Sequence, residues 1–296
     1  MKHLAAALTV LVALAFSTPA VAADPEVKLL DPGTGKKAEL RLAPTKGDKL
    51  ATVMTMDMAM EISAGGQTMP TQAVPQMVFG IDMEVNEVRA DEFTFTFKYT
   101  KADIVETATT DPAVAQGMRG VINELQGLEG HSTMTKRGFV RDGSFVPAEG
   151  AGPAIQEMAA NMEKQLGQLA APLPAEPVGV GAKWQVDSVV TDKGMSVNQS
   201  AVYTLEKLEG SKIQLAVTIT QDAKDQTVST PQGDAKLSSL STKGTGTSSL
   251  DLTMLLPTEA TSDTVSDVSM SMDMGGTPIP MDMTTKIDMT IATKKQ

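Results

Sequence analysis

The sequence predicts a mainly β (α+β) protein: antiparallel curved sheets or half-barrels in two related halves, with two amphipathic helices packing on a sheet face. Three observations carry this expectation. Long segments such as "KLATVMTMDMAMEISA", from Lys49, alternate apolar and polar residues, as a strand with one buried face must. The order of motifs in the first half returns in the second. Two stretches between the halves instead place their apolar residues at helical spacing.

The first element is a leader. "MKHLAAALTVLVALAFSTPAVAADPE" has a basic start at Lys2, an apolar run from Leu4 to Phe16 and the small-residue sequence Ala20-Val21-Ala22. This three-part order predicts a secretory signal over residues 1–22, cleaved before Ala23, and so a periplasmic or secreted protein. The run is too short to span a bilayer, and no later run approaches the roughly 18 residues that a transmembrane helix needs. The chain has no cysteine, hence no lipobox and no disulfide, and its stability must come from buried area.

The first β half is expected over residues 38–150. "TVMTMDMAMEI" sets Met54, Met56, Met58, Met60 and Ile62 on one face, up to the Gly65-Gly66 break. "QMVFGIDMEVNEV" and "EFTFTFKYTKADIV" follow around a tight turn at Arg89-Ala90-Asp91, with Phe93, Phe95, Phe97 and Tyr99 on one face. "STMTKRGFVRDGSFV" reads as short strands around an Asp142-Gly143 turn.

Met118, Val121, Ile122, Leu125 and Leu128 mark a helix near 112–128, and Ile155, Met158, Ala159, Met162, Leu166 and Leu169 mark a second over 151–171. A Pro-rich linker spans 172–180, and the second β half spans 181–296. There, "GAKWQVDSVVT" from Gly181 resembles "GDKLATVMTMD" from Gly47, so that Trp184 matches Leu50. "TLEKLEGSKIQLAVTI" lies over "VNEVRADEFTFTFKY", with Ile213, Leu215, Val217 and Ile219 matching Phe93, Phe95, Phe97 and Tyr99. The two offsets agree if the first hairpin of the first half is longer, with "ISAGGQTMPTQAVPQ" holding the excess. A last hairpin is expected around Gly275-Gly276. Two half-barrels side by side and one continuous long sheet both satisfy this pattern.

At this point the residues resemble a known family. "LPAEPVGVGAKW" (Leu173 to Trp184), "KGDKLATVMTMDMAME" and "TKGTGTSSLDLTMLLPTEAT" are similar to a bacterial family of exported β-rich envelope proteins and lipoproteins of unknown function. The resemblance extends over positions 38 to 292 and implies an envelope location and a β fold. It brings no catalytic residues, and the chain departs from lipoprotein members in lacking the cysteine.

Composition and motifs narrow the function classes. The net charge of −11, about −12 without the leader, argues against nucleic acid and anionic lipid surfaces as partners. Beyond His3 the chain has one histidine, His131, beside Ser132, with no Gly-x-Ser-x-Gly elbow. Zinc lacks its usual His and Cys ligands, and calcium and phosphate loops are absent from the sequence. Asp57, Asp82, Asp273, Asp282 and Asp288 alternate with apolar residues, which points them to solvent rather than into a cleft. We expect no enzyme, no catalytic residue and no cofactor.

The chain carries 20 methionines against ten aromatic residues. Flexible thioether side chains suit an adaptable apolar wall. The expected partners are a lipid or apolar small molecule and an envelope protein, with Met54, Met56, Met58, Met60, Phe93, Phe95, Phe97, Met158 and Met162 as the candidate ligand-binding set. The alternatives are a purely structural or interaction role, and Cu(I) held by soft thioethers, with Met54, Met56, Met58, Met270, Met272 and Met274 as its set.

Overall fold

The computed structural model of the chain describes residues 25–69, 72–106, 110, 112–146, 171–192, 195–230, 233–273 and 278–296. In chain order the elements are β1 (Glu26–Asp31), β2 (Thr34–Ala38), β3 (Lys49–Ala64), β4 (Gln67–Thr68), β5 (Gln72–Ala73), β6 (Gln76–Val88), β7 (Glu92–Val105), α1 (Pro112–Asn123), β8 (Glu129–Thr135) and β9 (Val140–Val146). They continue as β10 (Val178–Val180), β11 (Lys183–Asp192), β12 (Met195–Glu209), β13 (Lys212–Thr230), β14 (Gly233–Asp251), β15 (Glu259–Asp273) and β16 (Pro278–Lys295).

The strands form one 14-stranded antiparallel sheet in the order β1-β11-β12-β13-β14-β15-β16-β3-β6-β7-β8-β9, with β4 and β5 beside β3, and β2 paired with β10 in a separate ribbon. The expectation of half-barrels with two helices on a sheet face is therefore corrected. The last strand, β16, pairs with β3 from Met281↔Ala64 to Lys295↔Leu50, which fuses the two halves edge to edge. A continuous ladder leaves no backbone donors unpaired where the halves meet.

Among the described residues there is one helix, α1, which packs on β7 and buries Ala115 and Ile122. It ends at Asn123, short of the expected 128, because the chain turns at Gly127 (φ +87°), whose N–H donates to the Tyr99 carbonyl at 2.8 Å. Leu125 and Leu128 are buried from that turn rather than from a helix. Residues 151–170, which make up nearly all of the second expected helix, lie outside the described residues; Ala171 is not helical.

The two expected halves enter the one sheet by the same device. Gly47 and Gly181 have φ of +85° and +84°, a left-handed conformation that a Cβ disfavours. Each donates its N–H to the bulged strand that follows, Gly47 to Val85 at 2.8 Å and Gly181 to Leu205 at 2.7 Å. The ladder then shifts register in the same place, between Val85 and Glu87 in β6 and between Leu205 and Lys207 in β12.

The sheet is rolled. Trp184 lies on β11, one strand from one edge, and Arg137 in the β8–β9 turn at the other. In a flat sheet they would stand about 45 Å apart. Instead, one short segment touches both. The Pro172 carbonyl accepts the Trp184 indole N–H at 2.8 Å, while the Leu173 N–H donates to the Arg137 carbonyl at 2.9 Å. Around this junction Leu40, Leu173, Val178, Trp184 and Leu255 are fully or almost fully buried. They belong to a large hydrophobic cluster that also takes in the aromatic residues of β7. A second cluster, built from Met60, Ile62, Met195, Val228, Leu237 and Met270, fills the opposite end.

Candidate functional site

Period-two alternation and the ladder registers place the apolar residues of the central strands in rows across one face. One row runs Met56–Met289–Ser262–Gly246–Val217–Tyr203, from β3 to β12. The row toward Trp184 runs Met54–Ile291–Ala260–Ser248–Leu215. The row on the other side runs Met58–Ile287–Thr264–Gly244–Ile219–Ala201. None of these residues is charged.

The three rows have two apolar walls and a low floor. Met54, Met56, Met58, Ile287, Met289 and Ile291 form one wall as three directly paired couples, and all six are only half-buried. Val217, Ile219 and Tyr203 stand on the other side, also half-buried. Between them β14 and β15 contribute only small side chains, Gly244, Gly246, Ser248, Ala260, Ser262 and Thr264. The Ser248 hydroxyl is shielded from solvent and has no hydrogen-bond partner among the described residues.

A polar crossbar separates this trough from the second cluster. Thr242 donates to Ser266 at 2.9 Å and Gln221 to Gln199 at 2.6 Å. Thr285 completes the row beside Met60.

The expected ligand set divides. Met54, Met56 and Met58 line the trough, whereas Met60 stands in the crossbar row and is buried as part of the second cluster. Phe93, Phe95 and Phe97 are at most 4 % exposed and pack in a chain of rings, with Phe97 and Phe145 4.9 Å apart at 67°. They are core, which no ligand reaches without unpacking it. Met158 and Met162 lie outside the described residues. Sequence reasoning missed Ile287, Met289, Ile291, Val217 and Ile219; their alternation was visible, but the pairing of β16 with β3 was not.

The thioethers of the Cu(I) set are not brought together. Met54 and Met58 face the aliphatic Ile291 and Ile287. Met270 lies three side-chain rows further along, about 20 Å by strand rise, opposite Met281, and Met274 is outside the described residues. No group of three or more His, Cys, Asp or Glu side chains among the described residues is arranged to hold a metal. His131 is exposed and 3.2 Å from the Ser144 hydroxyl, while Ser132 instead donates to the Asp142 carbonyl.

The opposite face is polar. Lys243, Thr245, Asp263, Asp267, Asp282, Lys286 and Asp288 are exposed there at mid-strand. A strand barrel that crosses a membrane presents an apolar band outward, and this sheet does the reverse. No helix among the described residues is long and apolar enough to cross a membrane. Asp288 sits between Asp57 and Asp263, and partial desolvation together with these two carboxylates pushes its pKa up.

Residues 156–254 match the model of a family of unknown function, DUF6263. No curated protein matches the chain. Among solved structures, the outer membrane protein OprG from Pseudomonas aeruginosa aligns over 86 % of this chain and 100 % of its own, at 8 % identity and a TM-score of 0.21. The attachment invasion locus protein Ail of Yersinia pestis covers 84 % of this chain and 100 % of its own at 6 % and 0.16. The P. putida toluene transporter TodX covers 85 % and 91 % at 7 % and 0.18. TM-scores this low do not establish a common fold.

Proposed function

We propose that this chain is a non-enzymatic, exported envelope protein that holds an apolar or lipid-like ligand in the trough between β3–β16 and β12–β13. The observation that carries the reading is the wall of six paired large apolar side chains, Met54 to Met58 and Ile287 to Ile291, none of them fully buried. Half-exposed apolar surface of this extent, facing the inside of a rolled sheet rather than scattered outside it, is the common form of an apolar ligand site. Methionine makes such a wall adaptable to ligands of different shape. The Ser248 hydroxyl offers a hydrogen bond to a ligand's polar group. Export rests on the leader, from Lys2 to Ala22.

The test is to extract the purified mature protein into organic solvent and analyse the extract for lipid, then to titrate a fatty acid into delipidated protein. Recovered lipid, or a melting temperature that rises with fatty acid and no longer does so in Met56→Asp/Met289→Asp, supports the reading. An empty extract and an unmoved melting temperature overturn it and leave the role in protein–protein contact.

A further inference from the structure

Every polar side chain in the three rows of the trough and in the crossbar is uncharged. The crossbar sets Gln199, Gln221, Thr242, Ser266 and Thr285 side by side in one row, two primary amides and three hydroxyls. At the other end of the trough the Ser248 hydroxyl stands further along β14 from Thr242, about 20 Å by strand rise. The ionisable group in these rows is the Tyr203 phenol, and burial pushes its pKa up to about 12, so it is neutral at pH 7. The mid-strand charges of β14, β15 and β16 lie on the other side of the sheet, where Asp263, Asp267, Asp282 and Asp288 outnumber Lys243 and Lys286.

A charged headgroup taken into this trough would leave water without meeting an opposite charge, and an unpaired ion is costly to bury. An anion would also feel the excess of carboxylates across the sheet, in a chain whose net charge is −11. An uncharged head incurs neither cost, and the crossbar can bond it. Gln221 donates to the Gln199 oxygen at 2.6 Å, which leaves the Gln199 NH2 group and the Gln221 oxygen without a partner among the described residues. Thr242 donates to Ser266 at 2.9 Å, and the Ser266 hydroxyl keeps its own proton to give. Donors and acceptors side by side match a hydroxyl, which is both.

We infer that the ligand is a neutral lipid with a hydroxyl-bearing head, of the monoacylglycerol kind. Its head lies at the crossbar and its apolar chain runs along the low floor of β14 and β15, between the two walls. This names the ligand class of the trough and rests on the reading that the trough holds a lipid.

The experiment titrates three amphiphiles with the same decyl-length chain into the full mature chain at pH 7, each below the concentration at which it forms micelles. They are monodecanoylglycerol, decanoate and decyltrimethylammonium, and binding is read by calorimetry and thermal melting. Monodecanoylglycerol should bind at least about tenfold more tightly than either ion. The preference should largely persist in high salt, because it comes from desolvation more than from long-range charge. In Gln199→Leu/Gln221→Leu both amides are replaced together, so neither is left unpaired and the melting temperature of the free protein should hold. Its affinity for monodecanoylglycerol should fall about tenfold while that for decanoate is unchanged. The comparison of the three probes on the parent stands whether or not this variant folds. Decanoate or decyltrimethylammonium binding as tightly as the glycerol ester overturns the inference and leaves the trough a lipid site. A folded double variant that binds the ester as the parent does overturns it too. If none of the three binds, the lipid reading of the trough falls and this inference with it.

Discussion

Asp288 on β16 stands directly opposite Asp57 on β3 and directly opposite Asp263 on β15, three carboxylates in one cross-strand row. Desolvation, a hydrogen bond that the protonated Asp288 carboxyl donates to Asp263, and the repulsion of both neighbours raise the Asp288 pKa, against the attraction of Lys286. A folded-state pKa above the unfolded one means that folding favours the protonated acid, so stability is lost as pH rises through the folded value. Asp288→Asn should therefore stabilise at pH 7, by about 0.5 kcal/mol for relief of like charges on paired strands. The gain should fade below the carboxylate range. Urea unfolding of both proteins at pH 7 and pH 3.5 checks this; a gain of equal size at both would exclude titration as its cause.

Thr52 and Thr293, on the paired strands β3 and β16, are buried with their hydroxyls 3.1 Å apart. Thr52→Val leaves the Thr293 hydroxyl buried and unpaired, which costs about 1–3 kcal/mol, and Thr293→Val does the same to Thr52. The double variant removes both polar groups from an apolar site at nearly constant shape. It should be about as stable as the parent, so a double-mutant cycle by denaturant melts should return a strongly non-additive result.

Trp184 is fully buried, stacks on Tyr203 at 5.6 Å and donates to Pro172. Trp184→Phe keeps an aromatic ring but orphans the Pro172 carbonyl and leaves space where the larger indole packed. It should cost about 2–4 kcal/mol. Because that bond belongs to the segment joining β11 to the β8–β9 turn, amide exchange should rise first at Leu173, whose N–H donates to the Arg137 carbonyl. Exchange unchanged there would mean that the roll does not depend on the tryptophan.

How much of this was legible in the sequence differs by element. The faces of β3, β6, β7 and β16 follow from alternation alone, since a one-residue slip would bring charge into the core. The equivalence of Gly47 with Gly181 was visible as matching motifs, and the geometry of the two turns is the same. Long-range pairing was not legible. Nothing local in Met289 or Ile291 says that β16 lies against β3. Asp142-Gly143 carries the strongest short hairpin signal in its region, yet both residues lie inside β9, opposite Thr133 and Ser132. The chain turns instead at Gly138, with φ of +82°. That misplacement hid the contact that rolls the sheet, because only the turn at 136–138 brings Arg137 against Leu173.

Ser262 offers a test of whether the trough is open. It is half-buried on β15, paired with Gly246 on one side and Met289 on the other, so a larger side chain there projects between the two apolar walls. If the space is free, Ser262→Phe places its ring on the low floor, changes stability by less than about 1 kcal/mol and occupies the volume that a ligand would take. Fatty-acid binding should then fall at least tenfold while the far-ultraviolet spectrum and the melting temperature hold. If packed side chains fill the space, the same substitution overpacks the interior and costs about 1–3 kcal/mol, and the parent shows no binding to lose. Thermal melts of parent and variant, with and without fatty acid, separate the two outcomes because stability and binding move in opposite patterns.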